Sequence, residues 1–213
     1  DDVVDNEGDF DMRKTGYILE DGSQEWPNAA YKFNSTFRDW INTVEIEKSK
    51  RKESFYKYLK ECKGYFLNFN YTETLQKLYC IQDQDVLHIH GFRGDGESSI
   101  IMGHNSGEIE YESAMLGYDD NIRSLHAVLK KNLQLDTLKK FLNTCEDIIN
   151  IICIGFSFGD SDDEYIRALI NHPKTSHATW LLNEHKEDEV AEQSRKLQRF
   201  GIDPSKITSE KIL

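Results

Sequence analysis

The feature that most constrains the fold is the run Ile148–Ile154, which is apolar at all but one position and rich in β-branched residues. An unbroken apolar run of this length, without polar alternation, is typical of a strand covered on both faces of a parallel sheet. It ends in the turn Gly155-Phe-Ser-Phe-Gly-Asp160, and a helical pattern follows. The sequence therefore predicts a central strand with a loop at its carboxyl end.

Three shorter strand-like runs precede it, at Tyr65–Asn70, Val86–His90 and Ile100–Met102. Strand and helix patterns then alternate as far as residue 212. Such alternation indicates strands joined by helical crossovers. We predict an α/β fold: a Rossmann-like three-layer sandwich with a mostly parallel central sheet.

The beginning of the chain has a different character. Residues 1–32 are acidic, contain glycine and have weak apolar periodicity, so we expect an irregular segment there. From Phe33 the apolar residues recur at helical spacing. We expect residues 33–213 to form the α/β domain, interrupted by helical insertions.

Polar residues close the predicted strands. Asn70, His90 and His104 follow one another at three strand ends, and ligands of open parallel sheets bind at the carboxyl ends of strands. Histidine suits a general base because its ordinary pKa of about 6.5 lies near working pH. An asparagine amide both donates and accepts hydrogen bonds, so it can orient a polar ligand.

Charge and composition exclude several classes of protein. The net charge of −12 disfavours nucleic acid as a partner, because phosphate-backbone binding needs clustered cations. No apolar run approaches the roughly 20 residues that span a bilayer, so no membrane partner is expected. The scattered cysteines, Cys62, Cys80, Cys145 and Cys153, form no metal-binding spacing and indicate reduced thiols in a cytoplasmic protein.

Four motifs occur in order: Phe69–Leu75, Ile89–Gly91, Gly103–His104 and Ile154–Asp160. Together they resemble the bacteriophage abortive-infection AbiH family, over roughly residues 33–185. The resemblance implies a bacterial antiviral defence protein. Members of that family usually open with a strand and a Gly-Asn-Gly-Phe-Asp turn, and neither is found here. We therefore expect the sheet to lack its first strand.

The same order of turns is similar to the sirtuin-like NAD-binding fold. The similarity implies that Asn70 lies by the nicotinamide ribose, that His90 is the catalytic base, and that Gly155 and Ser157 meet the dinucleotide. Thr72 stands where sirtuin-like proteins carry an acid. The four-cysteine zinc module of sirtuin deacylases is also absent from the sequence, which disfavours deacylation.

The expected reaction is hydrolysis of NAD to nicotinamide and ADP-ribose, with NAD as substrate and no metal. His90 and Asn70 are the predicted catalytic residues. Asp160 is expected to bind a ribose hydroxyl, because the acidic residues beside it would oppose a phosphate. We expect a small-molecule nucleotide as partner, and a homo-oligomer stays open. The predicted substrate-binding residues are Thr72, Gly91, His104, Gly155, Ser157 and Asp160.

Two other classes of function stay open. His88 and His90 are two residues apart on a predicted strand, so both rings should point to one face. With His104 they could hold zinc or manganese in a metal-dependent hydrolase or nuclease, although no H-x-x-x-H motif accompanies them. The third class is a non-enzymatic module that senses a nucleotide. Bound metal would identify a metal-dependent enzyme, and NAD binding without turnover would identify the sensing module.

Overall fold

The computed structural model describes residues 4, 7, 9, 11–62, 64–95, 100–105, 116–184 and 187–212. The chain forms two compact units. The helical unit comprises Asp1–Asn42 and Ile101–Asn132, and the sheet unit comprises Thr43–Ile100 and Leu133–Leu213. The α-helices are α1 (Met12–Ser23), α2 (Trp26–Asn42), α3 (Glu53–Glu61), α4 (Thr74–Tyr79), α5 (Leu116–Leu129), α6 (Leu135–Thr144), α7 (Asp163–Asn171) and α8 (Glu187–Arg199). The strands are β1 (Phe66–Asn68), β2 (Val86–His88), β3 (Asn150–Cys153), β4 (Thr179–Asn183) and β5 (Ile207–Glu210).

The helical unit packs α1 and α2 against α5. The expectation of an irregular segment over residues 1–32 is wrong for the described part, because α1 and the start of α2 lie there. The Asp11 carboxylate caps α1 by accepting hydrogen bonds from two backbone N–H groups, each at 3.0 Å. The apolar periodicity of this segment is weak because the residues that α1 buries, Thr15 and Ser23, are both polar.

The strand predicted at Ile100–Met102 does not form. The chain instead pairs with the end of α5 inside the helical unit: the His104 N–H donates to the Leu129 carbonyl at 3.0 Å, and His104 forms an isolated bridge with Lys130. Three apolar residues are too short a pattern to show whether the segment pairs with a strand or with the end of α5.

All described strands of the sheet unit run parallel, which confirms the predicted α/β class. β1 pairs with β2, and β3, β4 and β5 form a second sheet in that order. The Tyr65 hydroxyl accepts a hydrogen bond from the Glu146 N–H at 3.3 Å, and the rings of Phe69 and Phe156 lie 4.4 Å apart. Tyr65 and Glu146 precede β1 and β3, and Phe69 and Phe156 follow them. The two strands, and with them both sheets, therefore run in the same direction.

Helix α7 carries residues of both apolar clusters of the sheet unit. Tyr165 packs in one cluster with Ile89 and Leu138, and Ile166 packs in the other with Trp180 and Leu182. All six side chains are at most 2% exposed. The start of α7 is therefore fixed relative to both sheets, and it is this start that carries the acidic residues of the site described below.

Strand β3 does not occupy the central position that its sequence predicts. Among the described strands it has a neighbour on one side alone, which is β4. Ile152 on β3 is 37% exposed, and Ile149 just before it is 69% exposed. A segment with the composition of a fully covered strand thus lies at the edge of its sheet.

Candidate functional site

The centre of the candidate site is the pair formed by His90 and Asp162. The imidazole Nε2 lies 3.0 Å from the Asp162 Oδ1, and both side chains are buried. His90 follows β2 in a turn in which the Gly91 N–H donates to the His88 carbonyl at 3.0 Å. Gly91 has φ of 71°, a left-handed conformation that favours glycine.

Three aromatic rings surround the imidazole. The ring centroids of Phe69, Tyr165 and Tyr71 lie 5.2, 5.9 and 6.1 Å from that of His90. Burial and then the Asp162 charge raise the pKa of the Tyr71 phenol. Burial is also the main cause that raises the pKa of the Tyr165 phenol, whose oxygen accepts a hydrogen bond from the Gln134 N–H at 2.9 Å. Both hydroxyls therefore stay protonated at neutral pH.

Asp162 is the site residue that the sequence interpretation missed. It closes a 3-10 turn, Asp160–Asp162, immediately before α7, and the sequence shows it as one of several acids at a helix start. Its partner is 72 residues away in the chain. The signal that could have identified Asp162 was its position in the sequence, shortly after the Gly155–Gly159 loop, which was itself predicted to bind the substrate.

Asn70 is exposed and has a structural role in its own turn. Its backbone N–H and its side-chain amide donate to the Asn68 Oδ1 at 3.0 and 3.2 Å. Its carbonyl oxygen lies 3.1 Å from the His88 Nδ1, and the Gln76 amide lies 3.0 Å from the His88 Nε2. The Asn68 Nδ2 lies 3.3 Å from the same Nδ1. This pattern engages both nitrogens of His88 with neighbours that differ from those of His90.

The loop Gly155–Gly159 has left-handed backbone at two positions. Gly155 has φ of 63° and Phe158 has φ of 55°, and the second value is strained for a residue with a bulky side chain. The Gln193 side chain donates to the Phe156 carbonyl at 3.1 Å, and the Lys196 ammonium donates to the Phe158 carbonyl at 2.7 Å. Helix α8 thus holds the loop, while Ser157 within it is exposed.

Lys196 also pairs with two acids of the same turn. Its Nζ lies 2.7 Å from the Asp160 Oδ1 and 2.6 Å from the Asp163 Oδ1. Burial lowers the pKa of Lys196, but the hydrogen bonds to Asp160 and Asp163 outweigh it, so the pKa is raised overall. The hydrogen bond from Lys196 lowers the pKa of the exposed Asp160. The acid predicted to bind a ribose hydroxyl therefore already has a lysine partner.

Thr72 lies in the turn after β1, with its Oγ1 2.9 Å from that of Thr74. The next residue, Glu73, accepts a hydrogen bond from the Arg93 Nε at 2.8 Å, and the same guanidinium donates to the Val44 carbonyl. Burial raises the pKa of Glu73, but its hydrogen bonds lower it overall. This acid therefore fixes the loop after β2.

His104 belongs to the helical unit. Its ring centroid lies 4.2 Å from that of His126 on α5. Burial and the neighbouring His126 lower the pKa of His104. His104 therefore contacts α5 and the segment that follows it.

A cleft of about 820 Å³ lies between β1 and β3. Asn70 and Gly155 both line it, and so do Phe69 and Phe156, whereas His90 is not among its lining residues. Phe69 connects the two places, because its ring contacts both His90 and Phe156. The ring that precedes Asn70 in the chain therefore contacts both His90 and the residue that follows Gly155.

Two features are absent from the part of the chain that the structure describes. Within it, no three His, Cys, Asp or Glu side chains are grouped so that they could hold a metal ion. No helix in the same residues is long and apolar enough to cross a membrane.

Comparisons with known proteins give one result that identifies the chain. No curated protein and no solved structure matches it. The family model described as bacteriophage abortive infection AbiH matches residues 3–184, which is most of the sequence and includes the motifs that suggested this family. The chain therefore belongs to the AbiH family of bacteriophage abortive-infection proteins.

Proposed function

We propose that this protein is an abortive-infection effector that hydrolyses NAD to nicotinamide and ADP-ribose in the cytoplasm of the infected cell. The observation that carries the proposal is the buried His90–Asp162 pair, which follows the carboxyl end of a parallel strand. Family membership supports the defence role. Loss of NAD would arrest growth of the infected cell, which is the outcome that abortive infection requires.

The reaction breaks the bond between C1′ of the ribose and the nicotinamide nitrogen. Nicotinamide leaves with the bonding electron pair, and positive charge develops on the ribose. Water then adds to C1′ and loses one proton, so the products are nicotinamide, ADP-ribose and a proton. A site for this reaction needs a base for the water, groups that orient the sugar, and protection from bulk solvent.

His90 is the proposed base. A carboxylate that accepts the Nε2–H fixes the tautomer and leaves a lone pair on Nδ1, and it stabilises the cation formed when Nδ1 takes a proton. Asp162 is in position to do both, at 3.0 Å from Nε2. We assign it as the residue that positions the base.

The remaining roles concern the nucleotide. Asn70 and Gly155 line the cleft next to Phe69, so they are proposed to contact the ribose and the backbone of the dinucleotide. Ser157 of the same loop is exposed and is proposed to contact the dinucleotide too. Thr72, Gly91, His104 and Asp160 stay predicted substrate-binding residues.

Neither alternative class has an equivalent observation in its favour. A metal-dependent hydrolase would use His88, but both ring nitrogens of His88 already have neighbours within hydrogen-bond distance. A nucleotide-sensing module needs no buried base, and it therefore gives no reason for an imidazole held by a buried carboxylate.

The test is to incubate the purified protein with NAD and to measure free nicotinamide by chromatography. We expect release of nicotinamide by the wild-type protein and a loss of about 10²- to 10⁴-fold in His90→Gln. His177→Gln is the matched control, because His177 is an exposed histidine of the same unit. NAD turnover that is equal in His90→Gln and His177→Gln would contradict the assignment. Binding of NAD without any release of nicotinamide would favour the sensing module.

A further inference from the structure

The segment from residue 48 to residue 60 is strongly basic in an acidic chain. It carries one acid, Glu53, and six cations, which are Lys48, Lys50, Arg51, Lys52, Lys57 and Lys60. The whole protein has 26 lysines and arginines and 38 aspartates and glutamates, so the rest of the chain is more acidic than its net charge of −12 implies. Charge acts locally, and the argument from net charge against anionic partners therefore does not apply to this basic segment.

Four cations of the basic segment are exposed and have no carboxylate within ion-pair distance in the part of the chain that the structure describes. These are Lys50, Lys52, Lys57 and Lys60. By contrast, Lys48 pairs with Glu45, and Arg51 pairs with Glu53. An exposed ammonium group without an internal partner can neutralise a phosphate of a bound ligand.

Helix α3 separates these cations from the cleft between β1 and β3. Its apolar residues Phe55 and Leu59 line the cleft, whereas Tyr56, Lys57 and Lys60 are not among the lining residues. The helix is therefore amphipathic, with one face toward the cleft and a basic face formed by Tyr56, Lys57 and Lys60. This basic face is distinct from the place proposed for the dinucleotide.

Tyr56 gives the basic face a flat surface. The Arg51 guanidinium carbon lies 3.7 Å from the centroid of the Tyr56 ring, and the Lys60 ammonium lies 5.1 Å from it. The Glu53 carboxylate fixes the guanidinium, because it accepts a hydrogen bond from the Arg51 Nε at 2.7 Å. Nucleobases stack on aromatic rings and on arginine planes. The stack of Arg51 on Tyr56 is thus a fixed surface for a base, with ammonium groups beside it for phosphates.

The flat surface decides between the anionic ligands that a basic face could take. A carboxylate-rich peptide needs the ammonium groups alone, so it gives no reason for the stacked guanidinium. In a duplex the faces of the bases are covered by their neighbours, whereas a single strand exposes them. The ligand that uses both features is a single-stranded nucleic acid.

We propose that the basic face of α3 binds single-stranded nucleic acid. Lys50, Lys57 and Lys60 each neutralise one backbone phosphate, and one base stacks on the Arg51–Tyr56 surface. Stacking uses the face that every base has, so the binding tolerates different sequences. This inference does not rest on the reaction proposed above.

The experiment measures binding of a fluorescein-labelled oligothymidylate of about 15 nucleotides to the whole protein by fluorescence anisotropy. With three phosphates neutralised, the affinity of the wild-type protein should fall about 20-fold between about 50 and 200 mM salt. The double variant Lys57→Gln, Lys60→Gln should bind more weakly and lose less than about threefold over the same range, because one phosphate contact remains. The matched control is Lys139→Gln, Lys140→Gln, which removes the same charge from exposed lysines of α6 and should behave as the wild-type protein.

Tyr56→Leu tests the stacked base separately. It should weaken binding about tenfold at every salt concentration and keep the salt dependence of the wild-type protein, because stacking releases no counterions. Absence of binding at about 50 mM salt, or equal losses in the two lysine double variants, would overturn the proposal. A Tyr56→Leu variant that binds as tightly as the wild-type protein would overturn it too. Equal affinity for a duplex of the same length, or for polyglutamate, would assign the basic face to another class of ligand and likewise overturn it.

Discussion

Neighbouring acids at the start of α7 form ion pairs of two different kinds. Asp162 pairs with His90 at 3.0 Å, and Asp163 and Asp160 pair with Lys196 at 2.6 and 2.7 Å. The imidazole of the first pair is surrounded by aromatic rings, whereas the lysine of the second also binds a backbone carbonyl. Three carboxylates within four consecutive residues thus have partners of different chemistry.

The difference between the partners indicates the difference in role. A histidine changes charge near neutral pH, so a carboxylate that holds it can take part in proton transfer. A lysine keeps its charge throughout that range, so Lys196 holds the strained loop and the turn in place. The first pair is therefore assigned to chemistry and the second to structure, and the predictions below test that division.

The largest expected effect is on NAD turnover. Asp162→Asn should lower kcat/KM about 100-fold, because the amide does not orient or stabilise the imidazolium as a carboxylate does. Asp163→Asn, at the next position, removes an acid of the Lys196 pair and should keep the rate of the wild-type protein. Nicotinamide release measured for both variants decides between them. A similar loss in the two variants would mean that the neighbouring carboxylates act on the imidazole together. It would contradict the division into one pair for chemistry and one for structure.

The second prediction concerns stability. Lys196→Met leaves Asp163 without its ammonium partner and the Phe158 carbonyl without its donor, and should lower the free energy of unfolding by about 3 kcal/mol. Lys174→Met removes the exposed pair with Asp147, at 3.2 Å, and should cost less than about 1 kcal/mol. Urea unfolding compares the two. Equal costs would show that the lysine pair contributes no more than a surface pair.

The third prediction is the pH dependence of the same contribution. Because the pKa of Lys196 is raised above its ordinary 10.5 in the folded chain, the stabilisation is fully present below that pH. It is lost as the pH rises through the raised value. The difference in unfolding free energy between the wild-type protein and Lys196→Met should therefore be constant from neutral pH to about 10 and fall above it. A difference that already declines between about pH 7 and 9 would contradict this assignment.

The smallest effect is expected in the loop that the lysine holds. Gly155→Ala should cost about 1 kcal/mol, because alanine is strained at φ of 63° although no heavy atom lies within 4 Å of the new methyl group. Gly64→Ala meets equally open space without a positive φ, and should be neutral or stabilise by less than about 1 kcal/mol. Thermal unfolding of both separates backbone strain from crowding. Equal effects would mean that the left-handed conformation is not enforced.

Local patterns were sufficient for much of the sheet unit. The aromatic run ending at Asn70, the apolar run before His90 and the run Ile148–Ile154 all contain strands, and the alternation with helices gives the parallel arrangement. The turn at Gly91 and the loop from Gly155 were visible because glycine marks backbone conformations that other residues avoid. The position of His90 at the end of β2 followed from these.

Long-range partners were not accessible to the same patterns. Nothing local distinguishes Asp162, which holds His90, from Asp160, which holds Lys196, because side-chain direction in a tight turn depends on the tertiary fold. Helix α1 was missed because the residues that it buries are polar. The edge position of β3 was missed because composition indicates which surroundings suit a strand and does not indicate which strands lie beside it.

Phe69 links two parts of the sheet unit mechanically. Its ring lies 5.2 Å from that of His90 and 4.4 Å from that of Phe156, which lines the cleft beside β3. Widening the cleft would shift this ring against the imidazole. A molecule bound in the cleft and one bound at the imidazole would then change each other's affinity by the same factor, as thermodynamic linkage requires.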